Sequence, residues 1–267
     1  ASFNQPLDFD TGSVTSMQHM LYYGAFNQPL DFDTSNVTDM TSMLHSAWFF
    51  RQPVPFSTAR VTTLANMFTD ATAFNEPLLF DTGSSTTMGS MFYSARSFNQ
   101  PLAFDTARVT DFSYTFFDAT AFDQLLNFSS TSRVNSVWNM FSGAILFNQP
   151  LVFDTGSVTK LDYVLANADD FDLLLAFDTS SVVEMAGAFF HIDRFNQPRD
   201  WDTSAVTSMS EMFKSAASFN QAIGFDTGNV ERMHRMFCEA DAFDRPTPFD
   251  LSKVTQIYGM FEGANSF

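Results

Sequence analysis

The chain has 267 residues, with 30 acidic against 13 basic side chains and a net charge of −17. So acidic a balance argues against nucleic acid or an anionic membrane as partner, because both are bound by clustered Lys and Arg. Hydrophobic residues at 45% exclude the low-hydrophobicity, high-charge signature of disorder. No run approaches the ~18 apolar residues of a membrane span. Residues 1–20 lack a basic stretch followed by an apolar one, so no targeting segment is visible. The single cysteine, Cys238, rules out an internal disulfide framework.

Phe is the dominant signal. Phe3, Phe26, Phe50, Phe74, Phe98, Phe122, Phe147, Phe171, Phe195, Phe219, Phe243 and Phe267 recur every 24 residues, apart from one step of 23 and one of 25. Such a period predicts a stacked-repeat architecture in which each unit buries its apolar side against its neighbours. Residues 1–267 are expected to form one elongated domain of eleven repeats. The chain starts at a repeat edge and stops on the first residue of a twelfth repeat, which reads as a fragment of a longer array.

The second repeat shows the elements in order. Leu30 and Phe32 alternate with Asp31 and Asp33, the period-two pattern of a short strand over about Pro29 to Asp33 with one buried face. Val37, Met40, Met43, Leu44 and Ala47 then form one stripe at helical spacing, which predicts a short helix dependent on stacking for its stability. Between them lies Asp33-Thr34-Ser35, whose oxygens suit the unpaired N–H groups of a helix start. The expected fold is an α/β, right-handed solenoid, with one parallel sheet of about eleven short strands and short helices on the opposite face. Helices need about 8–10 Å between axes and strands about 4.8 Å, so the helical face should be convex.

Nine carboxylates recur at the Asp33 place. Asp81, Asp105, Asp154 and Asp178 are the weak metal candidates, and Ca²⁺ is the ion they would suit. A calcium site needs several oxygens converging on one point, whereas a stacked column offers single carboxylates about 4.8 Å apart, so capping is the preferred reading. Asn27 and its equivalents are read as structural, bonding one turn to the next. The four histidines, His19, His45, His191 and His234, fall in four different columns, which argues against a His-based metal or catalytic site. No phosphate loop, nucleophile elbow or zinc spacing is present. The chain is read as a non-enzyme with no cofactor.

Phe-Asn, then Leu-x-Phe-Asp-Thr-Ser, then Val-Thr-x-Met-x-x-Met-Phe-x-x-Ala recurs throughout residues 1–267. This motif closely resembles the BspA-like leucine-rich-repeat surface proteins. The resemblance implies a surface or secreted protein associated with adhesion and protein recognition. Three repeats depart from the pattern: repeat six has an extra residue near Ser129, repeat eight has Ala188 and Ile192 where Met and Ala are usual, and repeat nine has Arg199 and Trp201 in place of Leu and Phe. No lipid-attachment cysteine stands near the N-terminus.

The outward strand position is the most variable column: Asp8, Asp31, Pro55, Leu79, Ala103, Asn127, Val152, Ala176, Asp200, Gly224 and Pro248. Variation on a fixed scaffold predicts a binding face. Leu79, Ala103, Val152 and Ala176 are the apolar candidates for partner contact. Arg199-Asp200-Trp201 joins them because Arg and Trp are enriched in interface hot spots. Seven basic residues in 194–253 are read mainly as balancing nearby acids. The function expected is an extracellular or cell-surface module for recognition and adhesion, with a protein or glycan ligand. The alternative is a structural, calcium-binding or mineral- or ice-associated scaffold, in which rows of Asp and Thr meet a lattice. Uncapped ends would also favour end-to-end or homotypic association.

Overall fold

Each 24-residue unit closes one coil, and the backbone of each coil is hydrogen-bonded to the next. The structure, a computed structural model, describes residues 3–198 and 201–267. Coil 1 spans 3–25, coil 2 spans 26–49, and the series continues to coil 11 at 243–266.

The second half of each coil corrects the expected fold class. Among the described residues there is no α-helix, and in place of a parallel sheet there are eleven isolated parallel bridges. In coil 2, the N–H groups of Met40, Ser42, Leu44 and Ser46 donate to the carbonyls of Thr63, Ala65, Met67 and Thr69 in coil 3. The intervening N–H groups of Met43, His45 and Ala47 turn back to the carbonyls of Met40, Ser42 and Leu44. Carbonyls of Asp39, Thr41, Met43 and His45 accept from coil 1, so donors and acceptors are satisfied by a division of labour that no helix has.

That pattern requires a left-handed residue every fourth position. Ser42 and Ser46 have φ of 54° each, and equivalent pairs occur in every coil from His19 and Tyr23 to Gly259 and Gly263. A left-handed residue breaks an α-helix. At Gly187 the chain also needs the missing side chain, because a Cβ there would collide with the ring of Tyr163.

The apolar stripe predicted for the helix is nonetheless buried: Val37, Met40, Met43, Leu44 and Ala47 are all enclosed. The expected strand is displaced. Ten of the eleven bridges form an unbroken ladder, Ser16, Asp39, Thr63, Thr87, Asp111, Ser136, Lys160, Glu184, Ser208, Arg232, Gln256. Between described residues the predicted strand place contributes the Leu102–Leu126 bridge, and Ile223 is a further bridge residue there, although Leu30 and Phe32 do face inward and Asp31 and Asp33 outward.

Coil spacing explains both corrections. Successive rings of the Phe3-to-Phe267 column are stacked at 5.9–6.4 Å without a gap. Helices about 8–10 Å apart do not fit that repeat. At this column it is also wider than the roughly 4.8 Å of strand pairing, and the strand-like bonds form instead along the Ser16-to-Gln256 ladder. With no helical layer, the reason for a convex helical face disappears. A further ring column packs face to face against the first: Phe68 on Phe74, Phe92 on Phe98, Phe116 on Phe122 and five further pairs, at 3.9–4.5 Å. The Phe32 column is in ring contact along itself only in part, as at Phe128–Phe153–Phe177. Together these columns make one continuous core from Met17 to Met260.

Candidate interaction surface

The arc from Asn27 to Thr34, and its copies, presents alternate side chains to solvent, and side chains hold it in register. Oδ1 of Asn4 accepts the N–H of Asn27, and Asn99 accepts that of Asp123 at 2.9 Å. Where Asp replaces Asn the carboxylate does the same, as Asp123 does for Asn148 and Asp172 for Asn196. Gln side chains of the following coil add a second bond, for instance Gln124 to Asn99 at 3.0 Å.

Two Thr columns complete the fastening. The buried hydroxyls of Thr34, Thr58, Thr82 and Thr155 donate forward to carbonyls of the next coil. Those of Thr38, Thr62, Thr86 and Thr110 donate backward to carbonyls of the previous one. Hydroxyls committed to backbone in this way have spent their one donor on the neighbouring coil.

The Asp column caps turns, not helices. All nine carboxylates accept the N–H two residues on, at 2.8–3.3 Å. The hydroxyls of Ser35, Ser180 and Ser204 hold Asp33, Asp178 and Asp202 below the usual carboxylate range, with help from the backbone N–H of the same serines. Ser129 does so for Asp105, and the N–H of Ser252 for Asp250. The metal candidates Asp81, Asp105, Asp154 and Asp178 are all exposed, each with Oδ1 occupied by its own turn. Coil 6 interrupts the series with Ser129 and Ser130 between Asp105 and Asp154. They do not converge on one point.

The outward positions do converge into a surface. Leu79 is 93% exposed and Val152 81%, and Ala103 and Ala176 are exposed in the same column. Beside that column, two residues earlier, run Pro53, Pro77, Pro101, Leu125, Pro150 and Leu174, also exposed. Coils 3 to 8 thus carry a two-residue-wide apolar strip interrupted by Asn127 alone. A shallow cavity of about 130 Å³ lies in it, lined by Pro53, Val54, Pro55, Pro77 and Leu79. Only the first of these columns is legible as a surface in the sequence, because Pro at the start of a short strand marks the strand's limit.

Trp201 corrects a candidate. It is 8% exposed and stacks on Phe189 at 5.3 Å and Phe225 at 6.3 Å, so it fills the Phe32 column of the core and is not a surface anchor. Arg199 and Asp200 lie outside the described residues. Basic residues of this end are engaged: Arg232 with Glu184 at 3.0 Å, Arg194 with Asp170 at 3.1 Å, Lys214 with Glu211 at 3.6 Å.

On the opposite arc, Trp138, Lys160, Asp162 and Tyr163 line a cavity of about 230 Å³. Burial pushes the carboxyl of Asp162 up, and burial followed by the nearby Glu211 raises the Tyr163 hydroxyl. One grouping of His with carboxylates, Asp169, His191 and Asp193, also went unseen in the sequence. Histidines were compared with one another, whereas this group joins one His to an Asp column.

No helix among the described residues is long and apolar enough to cross a membrane. The family described as Mycoplasma protein of unknown function, DUF285, matches over 1–103, 26–124, 79–175, 103–198, 152–224 and 173–267. No curated protein matches the chain.

Proposed function

The chain belongs to the DUF285 family, and we propose that it is a non-enzymatic recognition module whose ligand is a protein lying along the strip of coils 3 to 8. The observation that carries this reading is the run of exposed apolar residues, interrupted by Asn127 alone, with Leu79 and Val152 almost wholly in water. Single exposed apolar residues are ordinary, but a contiguous patch marks a contact surface. Its chemistry favours apolar side chains over the hydroxyls of a glycan. Around it, each coil fixes its neighbours through the Asn and Thr columns, so the outward positions vary without disturbing the stack. Resemblance to the BspA-like surface proteins supports an extracellular or cell-surface setting and a part in adhesion.

The test replaces Leu79 and Val152 together by Asp and compares both chains on an array of purified extracellular proteins and on a glycan array. The expected result is protein binding that the double variant loses while its circular dichroism is unchanged. Binding confined to glycans, or retained in full by the variant, would overturn the proposal.

A further inference from the structure

We propose that Asp169, His191 and Asp193 bind one divalent transition-metal ion of the zinc class, joining coils 7 and 8. One ligand atom from each residue lies within 4.8 Å of the other two. Zinc holds imidazole nitrogen and carboxylate oxygen at about 2.0–2.2 Å in a tetrahedron, with neighbouring ligands roughly 3.5 Å apart. Small side-chain rotations close the difference. One imidazole and two carboxylates suit zinc, cobalt or nickel, and fall short of the 6–8 oxygens that calcium takes.

The stack itself places these groups. Asp169 and Asp193 are 24 residues apart, at the same place in successive coils, and His191 stands two residues before the second. His191 is fixed by its backbone, with φ of 52° and its N–H on the carbonyl of Lys214 at 2.7 Å. The N–H of Arg194 on the carbonyl of Asp169 ties the two coils at this point.

A second observation points to a ligand. Oδ1 of Asp169 is buried and has no hydrogen-bond partner among the described residues. A buried carboxylate oxygen without a partner is costly, and a cation satisfies it. The guanidinium of Arg194, which follows His191 by three residues, is on Asp170.

Coils 10 and 11 supply an internal control. There the same column holds Asp241 and Asn265, and the Asn amide donates to Asp241 at 2.7 Å. A neutral donor settles that pair. In coils 7 and 8 both members are carboxylates, which need a shared cation in place of the amide.

The experiment titrates the chelator-stripped full chain with Zn²⁺ by calorimetry and with Co²⁺ by visible absorption. One ion per chain is expected, with the Co²⁺ band of a tetrahedral N/O site. His191→Asn keeps the left-handed turn, since Asn167 occupies the same column, and Asp193→Asn copies Asn265. Each should weaken binding by more than about tenfold, the scale on which even outer-shell changes act, whereas Asp81→Asn should leave it unchanged. Failure to bind Zn²⁺, equal binding of Ca²⁺, or undiminished binding by either Asn variant would overturn the proposal.

Discussion

The two halves of each coil are fastened differently. From Asn27 to Thr34, contacts between coils run through side chains: Asn to the next backbone N–H, Thr to the next carbonyl. From Thr38 to Ala47 they run through backbone, with every second N–H reaching the neighbouring coil. The first half is therefore nearly fixed in sequence where it faces its neighbours. The second tolerates Thr41, Ala65, Gly89, Trp138, His234 or Tyr258 in one column, because the bond there needs no side chain. Its requirement is conformational: left-handed residues such as Tyr114, Glu211 and Arg235 each cost about 1 kcal/mol and are held there by the stack.

The largest blow to this arrangement falls on what both halves share. Phe98 is fully buried and stacks on Phe74, Phe92 and Phe122. Phe98→Ala should cost about 3–5 kcal/mol by leaving a cavity, and chemical denaturation should show neighbouring coils fraying with it. A smaller change separates the halves. Asn99→Ala strands the N–H of Asp123 and should cost about 1–2 kcal/mol. Ser113→Ala, which copies Ala65 and Ala186 in the backbone-fastened half and gives up only the hydroxyl bond to Ser136, should cost about 0.5 to 1 kcal/mol in the same denaturation experiment. Equal effects would erase the distinction.

Acid should sharpen it most gently. Asp33, Asp105, Asp178, Asp202 and Asp250 have folded pKa values below their ordinary ones. Their support is complete above about pH 4 and is lost as pH falls through the lowered values. Asp118 and Asp162, in the other half, are raised, chiefly by burial, so protonation relieves rather than weakens them. Hydrogen exchange of the Ser35 and Ser180 amides should accelerate in acid relative to those of Ser42 and Phe116, and parallel acceleration would refute the difference.

How much of this the sequence showed follows from the same contrast. Side-chain fastening is written in residue types, so the Asn, Thr and Asp columns were legible, as were the Phe column and the buried stripe. Backbone fastening leaves little trace. Val37, Met40, Met43, Leu44 and Ala47 fit a helical stripe and a coil of alternating turns equally well. The discriminating clue was the column of Ser46, Asp70, Ser94, Gly143 and Asn167, residues that tolerate positive φ, four positions after Ser42, Asn66, Ser90 and Asn139. Tyr114, Tyr163 and Glu211 blurred it. The grouping at Asp169 was legible only by pairing equal places in adjacent coils and then asking what stood beside them.

Coil 6 carries an additional residue near Ser129, and the stack absorbs it: the N–H of Thr106 bonds the Ser129 hydroxyl, which in turn reaches Asp105. A chain that accommodates such a change without losing its ring column has length as a free variable. A further 24-residue unit with apolar outward residues would extend the strip by a coil. If the strip binds an extended partner as proposed, a longer strip would engage more of it at once, and avidity could then rise without any individual contact improving. On the proposed reading, the binding strength of such an array would follow the number of coils that carry the strip.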